Sequence, residues 1–166
     1  FEKAISLEPT NPVLHTELGK LYLASKDSDK AKEKFNKAKE LKPDYIDASI
    51  QLSLLYESEG NLEEAMKQVE SLAKIYPYNI DILFQLGRLH FNDNRTDEAI
   101  ADFETIIALL PNHSNALYSL GIAYQKKGEK EKAIASFEKA LELNPGNEDV
   151  IQKLKGLREE RLEQPQ

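Results

Sequence analysis

The side chains that could carry out chemistry are few and lie far apart along this sequence. None of the three histidines, His15, His90 and His113, has a second histidine three or four residues away, the spacing that places two metal ligands on one helix face. Cysteine is absent, no serine lies in a Gly-x-Ser-x-Gly turn, and no glycine-rich phosphate loop occurs. We therefore predict that this segment is not an enzyme and has no catalytic, cofactor-binding or metal site.

The charge and hydropathy of the chain limit the classes of partner that we expect. The 166 residues carry a formal net charge of −7. Binding to a phosphate backbone requires clustered Lys and Arg, so we expect no nucleic-acid partner. No apolar run approaches the roughly 18 residues of a membrane-spanning helix, so we expect no membrane insertion by this segment. The absence of cysteine leaves the compartment open between the cytoplasm and the periplasm.

A strict repeat organises the sequence that must position any binding residues. Proline, leucine and alanine each recur at one constant interval, without insertion or deletion, as Pro9, Pro43, Pro77, Pro111 and Pro145, as Leu18, Leu52, Leu86, Leu120 and Leu154, and as Ala31, Ala65, Ala99 and Ala133. The interval is 34 residues in every case. A fixed period of this size is typical of stacked pairs of helices. We predict an all-α fold built from helix-turn-helix repeats.

The repeat also predicts the domain organisation. Four complete repeats are expected at residues 12–45, 46–79, 80–113 and 114–147. The second helix of a truncated repeat precedes them at 1–11, and a capping helix and tail follow at 148–166. Because the sequence begins in the middle of a repeat, we expect it to be a piece of a longer protein. Each recurring proline removes an amide donor, so the second helix of a repeat must end there.

Local signals predict where several helices begin and end. Thr10 or Asn11 can cap the first helix of the first complete repeat, and Asp44 can cap the first helix of the next. Gly60 and Asn94 can adopt the left-handed conformation that ends a helix. Small residues on both helices are expected to form the close contact within a repeat, namely the alanines above together with Gly19, Gly87 and Gly121.

The recurring leucine, glycine, tyrosine, alanine, phenylalanine and proline positions resemble the signature of the tetratricopeptide repeat family over residues 12–147. The stretch from Ser114 to Asn147 carries the complete pattern. His15, Lys26, Ser49 and His90 depart from it, and His90 is expected to replace a core tyrosine. The resemblance implies a right-handed α-solenoid whose first helices line a concave groove that binds peptides or protein segments.

The resemblance further implies which residues face that groove. The expected peptide-binding residues are Ile50, Leu54, Phe84, Arg88, Phe91, Tyr118, Ile122 and Gln125. One subset of the family binds C-terminal carboxylates through Lys and Asn on successive first helices, and another carries a ladder of asparagines. Neither pattern is matched by the corresponding residues here, which include Thr16, Lys20, Gln51, Asp81 and Gln85.

Two questions stay open at this stage. Phe84 and Tyr118 could anchor a ligand, since aromatic side chains dominate binding energetics, or they could brace neighbouring helices. The chain could be a non-enzymatic scaffold that binds a peptide or partner subunit in its groove. It could instead be a docking or regulatory appendage of a larger enzyme or membrane-associated assembly, or a module that self-associates.

Overall fold

We describe a computed structural model of the chain, in which residues 1–162 are described and the last part of the predicted tail, residues 163–166, lies outside the described residues. The regular structure of residues 1–162 is helical throughout, which confirms the all-α prediction. The helices are α1 Glu2–Leu7, α2 Pro12–Ala24, α3 Ser28–Leu41, α4 Ile46–Ser58, α5 Leu62–Ala73, α6 Ile80–Asn92, α7 Thr96–Leu109, α8 Ser114–Lys127, α9 Lys130–Leu143 and α10 Glu148–Leu162.

The chain divides into two compact halves, Phe1–Gln85 and Leu86–Gln166, and the boundary falls inside α6. In the N-terminal half, α2 packs against α3, α3 against α4, and α4 against α5. In the C-terminal half, α7 packs against α8, α8 against α9, and α9 against α10. Each half is therefore built from helices that pack against their neighbours in the sequence, as stacked helix pairs require.

The turn inside each helix pair follows the period of the repeat. Lys26, Gly60, Asn94 and Gly128 have φ angles of 62°, 77°, 62° and 83°. This left-handed conformation was expected at Gly60 and Asn94, and it occurs at all four equivalent positions. A lysine in this conformation is strained because its Cβ approaches the following carbonyl oxygen. Lys26 therefore keeps the turn geometry at an energetic cost that glycine would avoid.

The observed N-terminal caps correct one prediction. Asn11 rather than Thr10 caps α2, accepting a hydrogen bond from the Val13 amide at 3.0 Å. Asp44 does not cap α4, whose N-cap residue is Tyr45 and which has no side-chain cap. The Asp44 carboxylate instead accepts a hydrogen bond from the Tyr76 hydroxyl at 2.7 Å, so its oxygen is turned toward the end of α5.

The glycines of the first helices make room for a phenylalanine ring rather than for the recurring alanine. A Cβ added at Gly19, Gly87 or Gly121 would lie 2.5, 2.6 or 2.6 Å from the ring of Phe35, Phe103 or Phe137. These rings are almost completely buried. In the second repeat serine replaces the glycine, and the smaller, buried Val69 stands one repeat after Phe35, at the phenylalanine position. The expected close contact therefore exists, but its partner is the phenylalanine.

The two histidines that depart from the family pattern are buried and hydrogen-bonded. His15 donates from Nε2 to the Pro9 carbonyl oxygen, 2.9 Å away. His90 lies at the tyrosine position, and its Nδ1 is 2.7 Å from Oδ2 of Asp102 on α7. The expectation that His90 is a core residue is confirmed, and its imidazole is held by a carboxylate, as a buried polar group requires.

The last described helix covers part of the preceding pair. Val150, Leu154 and Leu157 of α10 are buried, and α10 packs against α9. Leu143, the last residue of α9, remains 42% exposed. Among residues 1–162, the helices lack the combination of length and apolar character that crossing a membrane requires.

Candidate functional site

The eight residues predicted to bind a peptide all lie on first helices, and all remain at least partly accessible. Gln125 is exposed and the other seven are half-buried. Ile50 and Leu54 lie one turn apart on α4, and Phe84 is on the N-terminal side of the boundary within α6. The remaining five belong to the C-terminal half: Arg88, Phe91, Tyr118, Ile122 and Gln125. Six of the eight side chains are apolar or aromatic, so each half presents accessible apolar surface on its first helices.

In the N-terminal half, an ion-pair bridge joins the two first helices beside Ile50. Lys20 of α2 donates to Glu17 on its own helix and to Asp47 on α4, with both N–O distances at 2.8 Å. The hydrogen bonds to these two carboxylates, that to Asp47 first, raise the pKa of Lys20. Lys20 is one of the residues at carboxylate-clamp positions, and here its ammonium group is already paired within the protein.

A surface pocket of about 450 Å³ opens next to this bridge. It lies between the start of α4, the end of α5 and the start of α6. Its lining comprises three aspartates, two tyrosines, two isoleucines and one lysine, and it includes the predicted binding residue Ile50. The hydrogen bond from Tyr76 lowers the pKa of Asp44, so this carboxylate is ionised at neutral pH.

In the C-terminal half, Phe91 carries a cation over its ring. The Nζ of Lys126 on α8 lies 4.4 Å from the ring centroid, and it also donates to Oδ1 of Asn94 at 2.9 Å and to the carbonyl oxygen of Phe91 at 3.3 Å. An ammonium group at this distance is attracted by the negative face of the aromatic ring. Lys126 therefore lies over one face of Phe91, a predicted peptide-binding residue.

Tyr118 is connected to α9 and α10. Its hydroxyl donates to Oδ2 of Asp149 at 2.6 Å, and its ring centroid lies 6.0 Å from that of the buried Phe137. Burial, followed by the hydrogen bond to Asp149, raises the pKa of the Tyr118 hydroxyl to about 12. These contacts are those of a bracing residue, the second of the two roles considered for Tyr118.

A second pocket, of about 360 Å³, lies beside Tyr118 at the position equivalent to the first. Tyr118 stands two repeats after Ile50, and Asn115 stands two repeats after Asp47. The lining of this pocket is dominated by uncharged polar groups, including Asn115, Asn144 and Asn147. Equivalent pockets in the two halves therefore differ in charge.

The partners of these residues were not found from the sequence, although the period contains a signal for them. Lys20 and Asp47 are 27 residues apart, which is one repeat minus about two helical turns. Tyr118 and Asp149 are 31 residues apart, which is one repeat minus about one helical turn. Such separations join neighbouring first helices once the stacking is known. Among the side chains that the structure describes, there is no group of three or more His, Asp or Glu that could hold a metal ion.

Repeated helix pairs that pack against their neighbours in the sequence define the chain as a helical-repeat protein. Four sequence profiles, all described as tetratricopeptide repeat, match residues 1–33, 46–89, 80–113 and 114–147. The chain belongs to the tetratricopeptide repeat family. Proteins of this family are generally non-enzymatic interaction modules. Among proteins with curated descriptions, none matched the sequence significantly.

Solved structures with the same fold include several tetratricopeptide repeat proteins. A crystal structure of MamA is 24% identical over 91% of this chain and 86% of its own, with a TM-score of 0.78. PilF of Pseudomonas aeruginosa is 23% identical over 92% of this chain and 69% of its own, with a TM-score of 0.82. The first tetratricopeptide repeat domain of Spaghetti (RPAP3), solved with a bound HSP90 peptide, is 21% identical over 69% of this chain and 90% of its own, with a TM-score of 0.65.

Proposed function

We propose that this chain is a non-enzymatic scaffold that binds a peptide, or an extended or helical segment of a partner subunit, across its first helices. The observation that carries the proposal is the partial exposure of Ile50, Leu54, Phe84, Phe91 and Ile122. Fully burying an exposed side chain of this kind is worth about 1.5–3 kcal/mol. These side chains are already half-buried, so a ligand gains only part of that value at each and must cover several of them. Arg88 and Gln125 supply hydrogen-bonding groups that orient the ligand.

Peptide binding has a precedent in a structure with the same fold. The RPAP3 domain is bound to the HSP90 peptide SRMEEVD. The ligand proposed here differs in its chemistry, because the matching positions lack a set of Lys and Asn for a terminal carboxylate. Lys20, the cation among them, is paired with Glu17 and Asp47. The proposed ligand is therefore an internal segment held mainly by apolar contacts.

The two aromatic residues first considered as anchors, Phe84 and Tyr118, are not equally suitable for a binding test. Tyr118 is tied to Asp149 and Phe137, so its truncation is expected to disturb α10 as well as any ligand. Phe84 and Ile122 are used to probe binding in the two halves, because each is a half-buried side chain on a first helix. Buried residues such as Leu52 and Leu120 would report on folding instead.

The test is a peptide selection followed by quantitative binding. The full chain is used to select from a displayed library of random peptides, and the affinity of the best binder is measured calorimetrically. Phe84→Ala and Ile122→Ala should each weaken binding, and together they should cost at least about 2 kcal/mol, the usual size of a hot-spot loss. The matched control is Glu63→Ala with Lys67→Ala, two exposed positions on α5.

Denaturation of each variant accompanies the binding measurement. A severe loss of stability in the Phe84→Ala and Ile122→Ala variant would identify these residues as bracing rather than binding, as for large-to-small core changes. If the control on α5 abolished binding while the first-helix variants bound normally, the ligand would lie on the second helices and the proposal would be wrong.

A further inference from the structure

We propose that the pocket between α4, the end of α5 and the start of α6 is a subsite for an arginine side chain of the bound peptide or partner segment. The inference rests on the proposed function and adds the chemistry that the ligand must present at one position. It stands on a concavity of about 450 Å³ that combines apolar walls with an excess of negative charge. Ile50 lines this pocket and is also one of the predicted peptide-binding residues, so the pocket adjoins the proposed binding surface.

The charge of the pocket favours a cation. Asp44, Asp47 and Asp81 line it together with Lys42, so the lining residues carry a formal charge of −2. Lys20 binds Oδ2 of Asp47 at 2.8 Å. Among the side chains that the structure describes, none forms a hydrogen bond or ion pair with the carboxylate of Asp81, which is exposed at the start of α6. A ligand cation would therefore meet at least one carboxylate whose charge the protein has not compensated.

The walls of the pocket favour a guanidinium over an ammonium group. Ile46, Ile50 and the ring of Tyr76 supply apolar surface for the aliphatic stem and for the flat face of a guanidinium group. Tyr76 is held in place by its hydrogen bond to Asp44. The Nζ of Lys42 lies 5.8 Å from the centroid of the Tyr45 ring, so one face of this second tyrosine already carries a cation. The planar fork of arginine can donate to two carboxylates at once, whereas lysine acts as a point charge.

The equivalent pocket of the C-terminal half has fewer carboxylates, so the negative charge is not a general feature of the repeat. There, two repeats later, Asn115 replaces Asp47, Asn144 replaces Tyr76, and Tyr118 replaces Ile50. The single carboxylate of that lining, Asp149, accepts the hydrogen bond of Tyr118. The fold therefore provides a pocket in both halves, and the uncompensated carboxylate is found in the N-terminal one.

The test uses the full chain labelled with ¹⁵N and the probe Nα-acetyl-arginine N-methylamide, with the uncharged citrulline analogue as the comparison. Saturable shifts are expected for the backbone amides of Asp44, Tyr45, Tyr76 and Asp81, with weaker binding of the citrulline probe. Asp47→Asn with Asp81→Asn should weaken arginine binding about tenfold, the effect of one lost hydrogen bond to a charged group. Asparagine is tolerated by the fold at the position equivalent to Asp47, which is Asn115.

The control variant removes the same charge elsewhere. Glu63→Gln with Glu70→Gln changes two exposed carboxylates of α5 and should leave the arginine affinity unchanged. Asp81→Asn alone, at an exposed residue, serves as the second variant if the double variant is unstable. Equal binding of arginine and citrulline, absence of saturable shifts in the pocket, or an equal loss in the α5 control would overturn the inference.

Failure of this inference and failure of the proposed function give different results. Selected peptides that lack arginine and bind normally to the Asp47→Asn, Asp81→Asn variant would retain the scaffold function and overturn the arginine subsite. A saturable arginine site in a chain that selects no peptide from the library would retain the subsite chemistry and overturn the proposed function.

Discussion

Replacement of Gly121 by alanine tests the packing that fixes each helix pair. The new Cβ would lie 2.6 Å from Cε1 of Phe137, a ring with no exposed surface. Overpacking of a buried site typically costs about 1–3 kcal/mol. Alanine is about 0.8–1.0 kcal/mol more favourable than glycine inside a helix, which offsets part of this cost. We expect Gly121→Ala to lower the free energy of unfolding by about 1 kcal/mol.

Gly156 is the matched control, because it also lies inside a helix but no atom is within 4 Å of its added Cβ. Gly156→Ala should therefore raise the free energy of unfolding by about 0.5–1 kcal/mol, the propensity difference alone. Both variants are compared with the parent chain by urea denaturation followed by circular dichroism. Repeat arrays can lose two-state cooperativity, so only midpoints obtained with an unchanged m-value are interpreted.

The second repeat supplies a rescue experiment. There Ser53 stands at the glycine position and Val69 at the phenylalanine position. Phe137→Val alone should destabilise by removing buried apolar volume, but it should also remove the clash of Gly121→Ala. The double variant should then be more stable than the sum of the single changes predicts, by about 1 kcal/mol in a double-mutant cycle. Stabilisation by Gly121→Ala similar to that by Gly156→Ala, or strict additivity in the cycle, would refute the proposed contact.

Two further predictions concern Tyr118 and Lys26. Tyr118→Phe should lower the free energy of unfolding by about 0.5–1.5 kcal/mol at neutral pH, because the hydrogen bond to Asp149 is lost. Since the folded-state pKa is raised to about 12, that contribution is fully present below the unfolded pKa near 10 and is lost as the pH rises from about 10 to 12, so denaturation curves of the two proteins should converge over this range. Lys26→Gly should stabilise the chain by about 1 kcal/mol because φ is 62° at this position, whereas Lys37→Gly, inside α3, should destabilise it in the same denaturation assay.

The fold was predictable because the period carries the information needed to place each helix. Pro43, Pro77, Pro111 and Pro145 each follow the end of a second helix, as expected from the missing amide donor. The four equivalent turn residues share a left-handed conformation, although only two are glycines; they are Lys26, Gly60, Asn94 and Gly128. Neighbouring repeats thus impose a backbone geometry that local propensity at Lys26 alone would not predict.

The wrong assignment of Asp44 shows how residue type can mislead when the period is set aside. Asn11, Asn79, His113 and Asn147 occupy the same position in their repeats, and each accepts a hydrogen bond from an amide in the first turn of its helix. The fifth residue at this repeat position is Tyr45, which has no short side-chain acceptor, whereas the neighbouring Asp44 is a residue type that commonly caps helices. The register of the repeat, rather than the best local capping residue, decides where α4 begins.

The surroundings of the predicted binding residues were harder to predict than the fold, because they depend on contacts between repeats. The period places Phe91 and Tyr118 on the first helices but does not show that Lys126 lies over one ring and that Asp149 binds the hydroxyl of the other. The charged pocket arises in the same way, since Asp47, Tyr76 and Asp81 belong to three different helices or their ends.

These contacts also suggest how one scaffold can acquire selectivity. The residues that set the helix pairs, such as Gly121 and Phe137, are buried and recur with the period. The residues that line the two equivalent pockets vary between repeats, from Asp47 to Asn115 and from Ile50 to Tyr118, without changing the helices that carry them. Each first helix carries both buried and accessible positions, so substitutions at accessible positions that make few contacts with other helices are expected to alter the chemistry of the surface at little cost in packing. If the pockets bind ligand side chains as proposed, the difference in charge between them is expected to give the two halves different ligand preferences.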